Sequence, residues 1–122
     1  MTTVVDVLQA LQSSLSARLG VYTRPGGFTT PSIRILPVPV GWEPPVTGLE
    51  VLISEPRTTA EPLLNREYHA HGVIDVRIVA HGGVSLDLAN RRVISLYPLA
   101  TVRHIPEAAE YPAQLTLQIP TQ

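Results

Sequence analysis

Cysteine and lysine are both missing from the 122 residues. The first absence excludes disulfides, thiolate zinc sites and a cysteine nucleophile. The second excludes Schiff-base chemistry and a P-loop, whose lysine must reach the phosphates. All nine basic residues are therefore arginine, set against ten acids for a formal net charge of −1. So small a charge argues against affinity for nucleic acid driven by bulk electrostatics. Arginine's planar fork suits interface ion pairs better than an ammonium point charge does, although a GC-rich coding bias gives the same composition with no functional meaning. No apolar stretch approaches the roughly 18 residues that a membrane span needs. The N-terminus lacks a basic region followed by an apolar run, so no secretory signal is visible. The expectation is a soluble protein made and used inside a cell, without a membrane partner. The length suits one domain, 1–122, with one core.

What is present reads as a short series of helices and strands. Val4, Leu8, Leu11, Leu15 and Leu19 recur at helical spacing, Thr3 and Asp6 form a candidate capping box, and Gly20 is a candidate stop. Residues 21–31, with Pro25-Gly26-Gly27, read as a loop. Ser32–Val38 reads as a strand that Pro37 and Pro39 confine to a sheet edge. Leu49, Val51 and Ile53 alternate with polar residues as a second strand. Residues 54–66 show no period and contain two prolines, which predicts a long irregular loop, and such loops are usually functional or disordered. From Tyr68 to His81 the even positions are apolar or small and the odd ones mostly polar, which predicts a long strand with one face buried. Ser85 caps a predicted second helix carrying Leu86, Ala89, Val93, Leu96 and Ala100. Thr101–Ile105 reads as a short strand, and Ala113–Ile119 as a clean two-faced one. The predicted fold class is α+β: a two-layer sandwich with a mainly antiparallel sheet of four to five strands and two helices on one face.

Candidate chemistry is sparse. His69, His71, Asp75 and His81 share one parity on the long strand, and imidazole is a common transition-metal ligand. At about 3.3 Å per residue, Asp75 lies about 20 Å from His69, so only His69 and His71 are able to share an ion. A solvated or subunit-facing strand surface explains them as well. No serine lies in a nucleophile elbow, and the glutamates are not clustered by spacing, so no catalytic residues are assigned. Gly82-Gly83 before a helix offers backbone N–H groups to an anion, but a turn and cap accounts for it. Arg91 and Arg92 fall on the outward side of the predicted second helix, and Arg66, Arg77 and Arg103 are scattered. A solvated face accounts for each, although several subunits together could line a nucleic-acid passage with them. Trp42, the only tryptophan, sits in a proline-rich loop, where it either anchors an interface or tucks onto the core.

This order of elements, a helix at 4–19, strands at 33–38 and 49–53, an irregular stretch at 54–66, a long strand at 68–80, a helix at 85–97 and closing strands, resembles the tail terminator and tail-completion (neck) proteins of long-tailed bacteriophages. The resemblance covers nearly the whole chain and is one of pattern and length. It implies a non-enzymatic subunit, needing no cofactor, of a homohexameric ring that caps the tail tube, ends its growth and joins it to the head. The implied partners are further copies of the chain, the tail tube protein and a neck or head-completion protein, with DNA only passing through the ring. The implied location is the virion, after assembly in the host cytoplasm. Contacts between subunits or with the tube map to residues 55–66, and Trp42, Arg57, Leu63, Leu64 and Arg66 are the expected contact residues. The alternatives are a head-closure or adaptor subunit of the neck, a monomeric ligand- or metal-binding domain using His69 and His71, and a nucleic-acid binder.

Overall fold

Thr3 starts the first helix as the sequence predicts. Its hydroxyl accepts from the Asp6 N–H at 3.1 Å and the Asp6 carboxylate accepts from the Thr3 N–H at 3.1 Å, closing the capping box of α1 (Val4–Leu15). In this computed structural model, which describes residues 2–62, 68–109 and 111–121, two helices and eight strands follow one another in chain order. The strands are β1 (Val21–Thr23), β2 (Thr29–Pro31), β3 (Ile33–Ile35), β4 (Gly48–Ile53), β5 (Arg57–Pro62), β6 (Tyr68–His81), β7 (Thr101–Ile105) and β8 (Gln114–Pro120), with α2 (Asp87–Leu96) between β6 and β7.

The predicted α+β class holds, with more strands than expected. The main sheet has six, ordered β3-β4-β6-β8-β7 with β5 also paired to β6. All its pairings are antiparallel except β3 with β4, which is parallel. A separate antiparallel hairpin is formed by β1 and β2. Both helices contribute to one core on one side of the sheet. Val7, Leu11 and Leu15 from α1 and Ala89 and Val93 from α2 meet Val51, Ile53, Ile74, Val76, Ile78, Leu115, Leu117 and Ile119. The strand residues are those of one parity, as period-two alternation requires. Val4, Leu8 and Leu19 flank the buried trio of α1.

Four sequence expectations are corrected. Residues 21–31 are the β1–β2 hairpin, not a loop. Six residues of the segment predicted to be irregular, 54–66, form β5, paired with β6 from Arg57↔Val73 to Pro62↔Tyr68. Gly20 does not end α1. It is buried where two backbones touch, its N–H donating to the Leu49 carbonyl at 3.0 Å, and a Cβ there would stand 2.6 Å from the Thr47 carbonyl oxygen. Gly48, opposite, has φ +108°, and its Cβ would meet the Gly20 nitrogen at 2.6 Å. The second helix also starts later than predicted. Its N-cap is Leu86, and the Ser85 hydroxyl accepts from the Asp87 N–H at 3.2 Å.

Candidate functional site

The face of the sheet away from the helices is open at Arg77, Arg103, Gln118 and Thr101, although Glu50, Val73 and Val79 on it are buried, and the strand register lays its side chains out in rungs. One rung runs Arg34, Leu52, Arg77, Thr116, Arg103, through the pairs Arg34↔Leu52, Leu52↔Arg77, Arg77↔Thr116 and Thr116↔Arg103. The next holds Asp75, Gln118 and Thr101. On the other side lie Glu50, Val79, Gln114 and Ile105. Arg77, Arg103, Gln118 and Thr101 are exposed. A depression of about 450 Å³ lies over these rungs, with Leu36 and Leu52 as its apolar side and Arg77, Arg103, Thr116, Gln118 and the Arg57-paired Asp75 as its polar one.

Two carboxylates on this face are engaged within the chain. Asp75 accepts from Arg57 through both oxygens, Nε to Oδ2 and Nη2 to Oδ1, the second at 3.1 Å. This is a bidentate pair of the strong kind, and it holds the Arg57 guanidinium above its ordinary pKa. The pair ties the start of β5 to β6.

Glu50 is buried, at 8% exposure, and both its oxygens are occupied. Tyr22 donates its hydroxyl to Oε2 at 2.6 Å, and His81 Nε2 lies 2.8 Å from Oε1. Burial, and then the hydrogen bond to the Glu50 carboxylate, push the Tyr22 phenol far above its ordinary pKa. A buried carboxylate is stable only when it is hydrogen-bonded in this way. The network joins the hairpin, β4 and the end of β6. A carboxylate, an imidazole and a phenol are in contact here, but the arrangement serves as a fastening.

Trp42 extends the same cluster. Its ring lies 5.8 Å from that of Tyr22, tilted by 55°, with the guanidinium of Arg24 at 5.1 Å and that of Arg34 at 4.6 Å from its centroid. These are cation–π distances. The contact with the π face partly compensates Arg34 Nε, which is buried without a hydrogen-bond acceptor among the described residues. The half-buried Trp42 indole pins its loop to the sheet face away from the helix-side core, through Tyr22 and two arginines.

Comparison with known proteins returned no matching family model, curated protein or solved structure.

The other residues singled out from the sequence fall as follows. Arg57 is at the start of β5 and is occupied by Asp75. Leu63, Leu64 and Arg66 lie outside the described residues. The backbones of His69 and His71 are in β6, paired with Glu61 and Thr59, and their side chains also lie outside the description. Among the described residues no group of three or more His, Cys, Asp or Glu is placed to hold a metal, and no helix is long and apolar enough to cross a membrane. Sequence reasoning missed Tyr22 and Glu50. The available signal was a glutamate at 50 between Leu49 and Val51, inside an otherwise apolar strand.

One backbone feature lies at the end of the sheet. Val73 pairs with Arg57 of β5 on one edge of β6 and with Pro120 of β8 on the other. Residues 68–72 pair with β5, beyond the ladders of β4 and β8. Thr121, just past β8, still donates its N–H to the Gly72 carbonyl at 3.0 Å, so among the described residues the two-stranded part of the ribbon is 68–71, which at about 3.3 Å per residue runs some 13 Å beyond that contact.

Proposed function

We propose that this chain is a non-enzymatic structural subunit of a long-tailed bacteriophage, forming a homo-oligomeric ring that caps the tail tube, ends its elongation and joins the tail to the head. The observation that carries this reading is the β5–β6 ribbon, four residue pairs from Thr59↔His71 to Pro62↔Tyr68 that no other described strand flanks. A two-stranded ribbon has little core of its own and is at best marginally stable when isolated. In a ring it gains that stability by lying on the next subunit, and a head-to-tail contact of this sort closes when the rotation between subunits is right. The segment coincides with the 55–66 stretch to which the family resemblance assigns contacts. A head-closure or adaptor role in the neck rests on the same ribbon and differs only in the partner, connector rather than tube.

The fold supports the reading in a second way. Exposed apolar residues occur at both ends of the sheet. Leu96 and Leu99 lie near the end from which the ribbon leaves, and Phe28, Val40 and Val46 lie in the loops and hairpin elsewhere. A heterologous interface draws on two different surfaces of the subunit.

The test is mass in solution, by light scattering after gel filtration over a concentration series, with and without tail tubes. A ring-sized species near six subunits, or a monomer that becomes a ring on tubes, is the expected result. A monomer indifferent to tubes rejects the proposal. The Leu63→Ala/Leu64→Ala double variant is expected to lose assembly while keeping its fold.

A further inference from the structure

The open sheet face carries more positive charge than the chain uses. Its two carboxylates among the described side chains are already taken, Asp75 by Arg57 and Glu50 by Tyr22 and His81. Arg77 and Arg103 are exposed, and neither has a carboxylate partner among the described residues. They stand two strands apart on one rung, with Thr116 between them. At about 4.8 Å between strands their backbones are about 10 Å apart, close enough for a single segment to meet both. Two like charges on the rim of one depression repel each other, and an acid bound between them relieves this.

We propose that this depression is a docking site for an acidic, amphipathic segment of a protein partner, with Arg77 and Arg103 as its charge contacts. A carboxylate side chain matches the guanidinium fork, which binds such groups in bidentate fashion. Thr101 and Gln118 offer hydroxyl and amide donors around it, while the Thr116 hydroxyl donates to the Arg103 carbonyl at 3.4 Å, and Leu36 and Leu52 form the apolar side of the same hollow. That apolar side favours a protein segment over nucleic acid, since phosphate recognition makes no use of it. Two free arginines on a chain of net charge −1 also neutralise few phosphates, and affinity for a nucleic-acid backbone grows with the number neutralised. The site does not depend on the ribbon or on a ring. Its failure would leave the assembly reading standing, and the reverse also holds.

The experiment is fluorescence anisotropy with a labelled short peptide of glutamate and leucine in equal number. The controls are the same peptide with glutamine for glutamate and a labelled DNA oligonucleotide. The glutamate peptide is expected to bind and the glutamine peptide to bind far more weakly. Arg77→Gln and Arg103→Gln should each weaken binding by about tenfold, and Arg103→Lys by less, because it keeps the charge and loses the fork. Arg91→Gln, on α2, should leave binding unchanged. Four results would overturn the site: no binding, equal binding of both peptides, indifference to the arginine substitutions, or tighter binding of DNA. Light scattering on Arg103→Gln supplies one more, because loss of self-association would make a second copy of the chain the occupant of this face.

Discussion

The Tyr22 hydroxyl reaches the Glu50 carboxylate across 2.6 Å, fastening a three-residue-per-strand hairpin to the main sheet through a buried charge. Removing the donor leaves that carboxylate with His81 alone. Tyr22→Phe keeps the ring against Trp42 and is expected to cost about 1–3 kcal/mol, the penalty for a buried acceptor left short of a partner. Urea denaturation at neutral pH measures it, and a loss below experimental error would show that the network is dispensable. The same pair fixes a pH dependence. The Tyr22 phenol is raised above its ordinary value of 10.0, so its contribution is complete below pH 10 and falls as pH rises through the higher folded value. Wild-type stability is therefore expected to drop on the alkaline side of pH 10, less steeply in Tyr22→Phe. Tyr97, also raised by burial, accounts for the slope that remains.

Glycine at 48 is required on two grounds, and glycine at 83 on one. Both have positive φ, +108° and +75°, but a Cβ at 48 strikes the backbone of Gly20 while one at 83 meets nothing within 4 Å. Gly83→Ala is expected to cost about 1 kcal/mol of backbone strain. Gly48→Ala should cost several times more, since neither backbone is able to move without breaking the Gly20–Leu49 hydrogen bond. Thermal melting of the two variants side by side tests the ranking, and equal melting temperatures would refute it.

Leu11 is fully buried between α1 and the sheet. Leu11→Ala is expected to cost about 2–5 kcal/mol, the range for a large-to-small change that leaves a cavity. Chemical denaturation reads this directly, and a cost under about 1 kcal/mol would mean that the helix does not pack as described.

The capping box sets the acid limb. Hydrogen bonds from Thr3, its backbone N–H above all, hold the Asp6 carboxyl below its ordinary value of 3.8. A depressed value stabilises the fold above the unfolded pKa and stops doing so as pH falls through the folded one. Asp6→Asn should therefore flatten part of the loss of stability below pH 3.8. Thr3→Ala, which removes the cap, should cost about 1 kcal/mol at neutral pH. Denaturation midpoints from pH 2 to pH 7 check both.

How much of this was legible depended on what each element buries. β6 and β8 announced themselves because one face of each packs on the helices, so Ile74, Val76 and Ile78, and Leu115, Leu117 and Ile119, alternate with polar residues. β5, Arg-Thr-Thr-Ala-Glu-Pro, runs along the ribbon and pairs with β6 alone, so no hydrophobic period marks it, and Pro56 just before it and Pro62 at its end argued for a loop. β1 and β2 are three residues each, too short to show a period, and are held by tertiary contacts such as Tyr22 with Glu50. The open face was half legible. The polar parity of β6 was plain, but bringing Arg77 beside Arg103 needed the register of β6, β8 and β7 together. The Glu50 cluster joins residues 28 and 31 positions apart, which local spacing does not reveal.

The strand order β3-β4-β6-β8-β7 places β8 between two strands that precede it in the chain. During synthesis on the ribosome, β7 thus has no neighbour to pair with until β8 emerges. Until then the long edge of β6, Val73–Val79, stands open with Ile74, Val76 and Ile78 uncovered by their final partners. The nascent chain passes through a stage with an apolar, unpaired strand edge, the kind of surface that chaperones shield and aggregates grow from. Any truncation that stops before Gln114 would make that transient stage permanent.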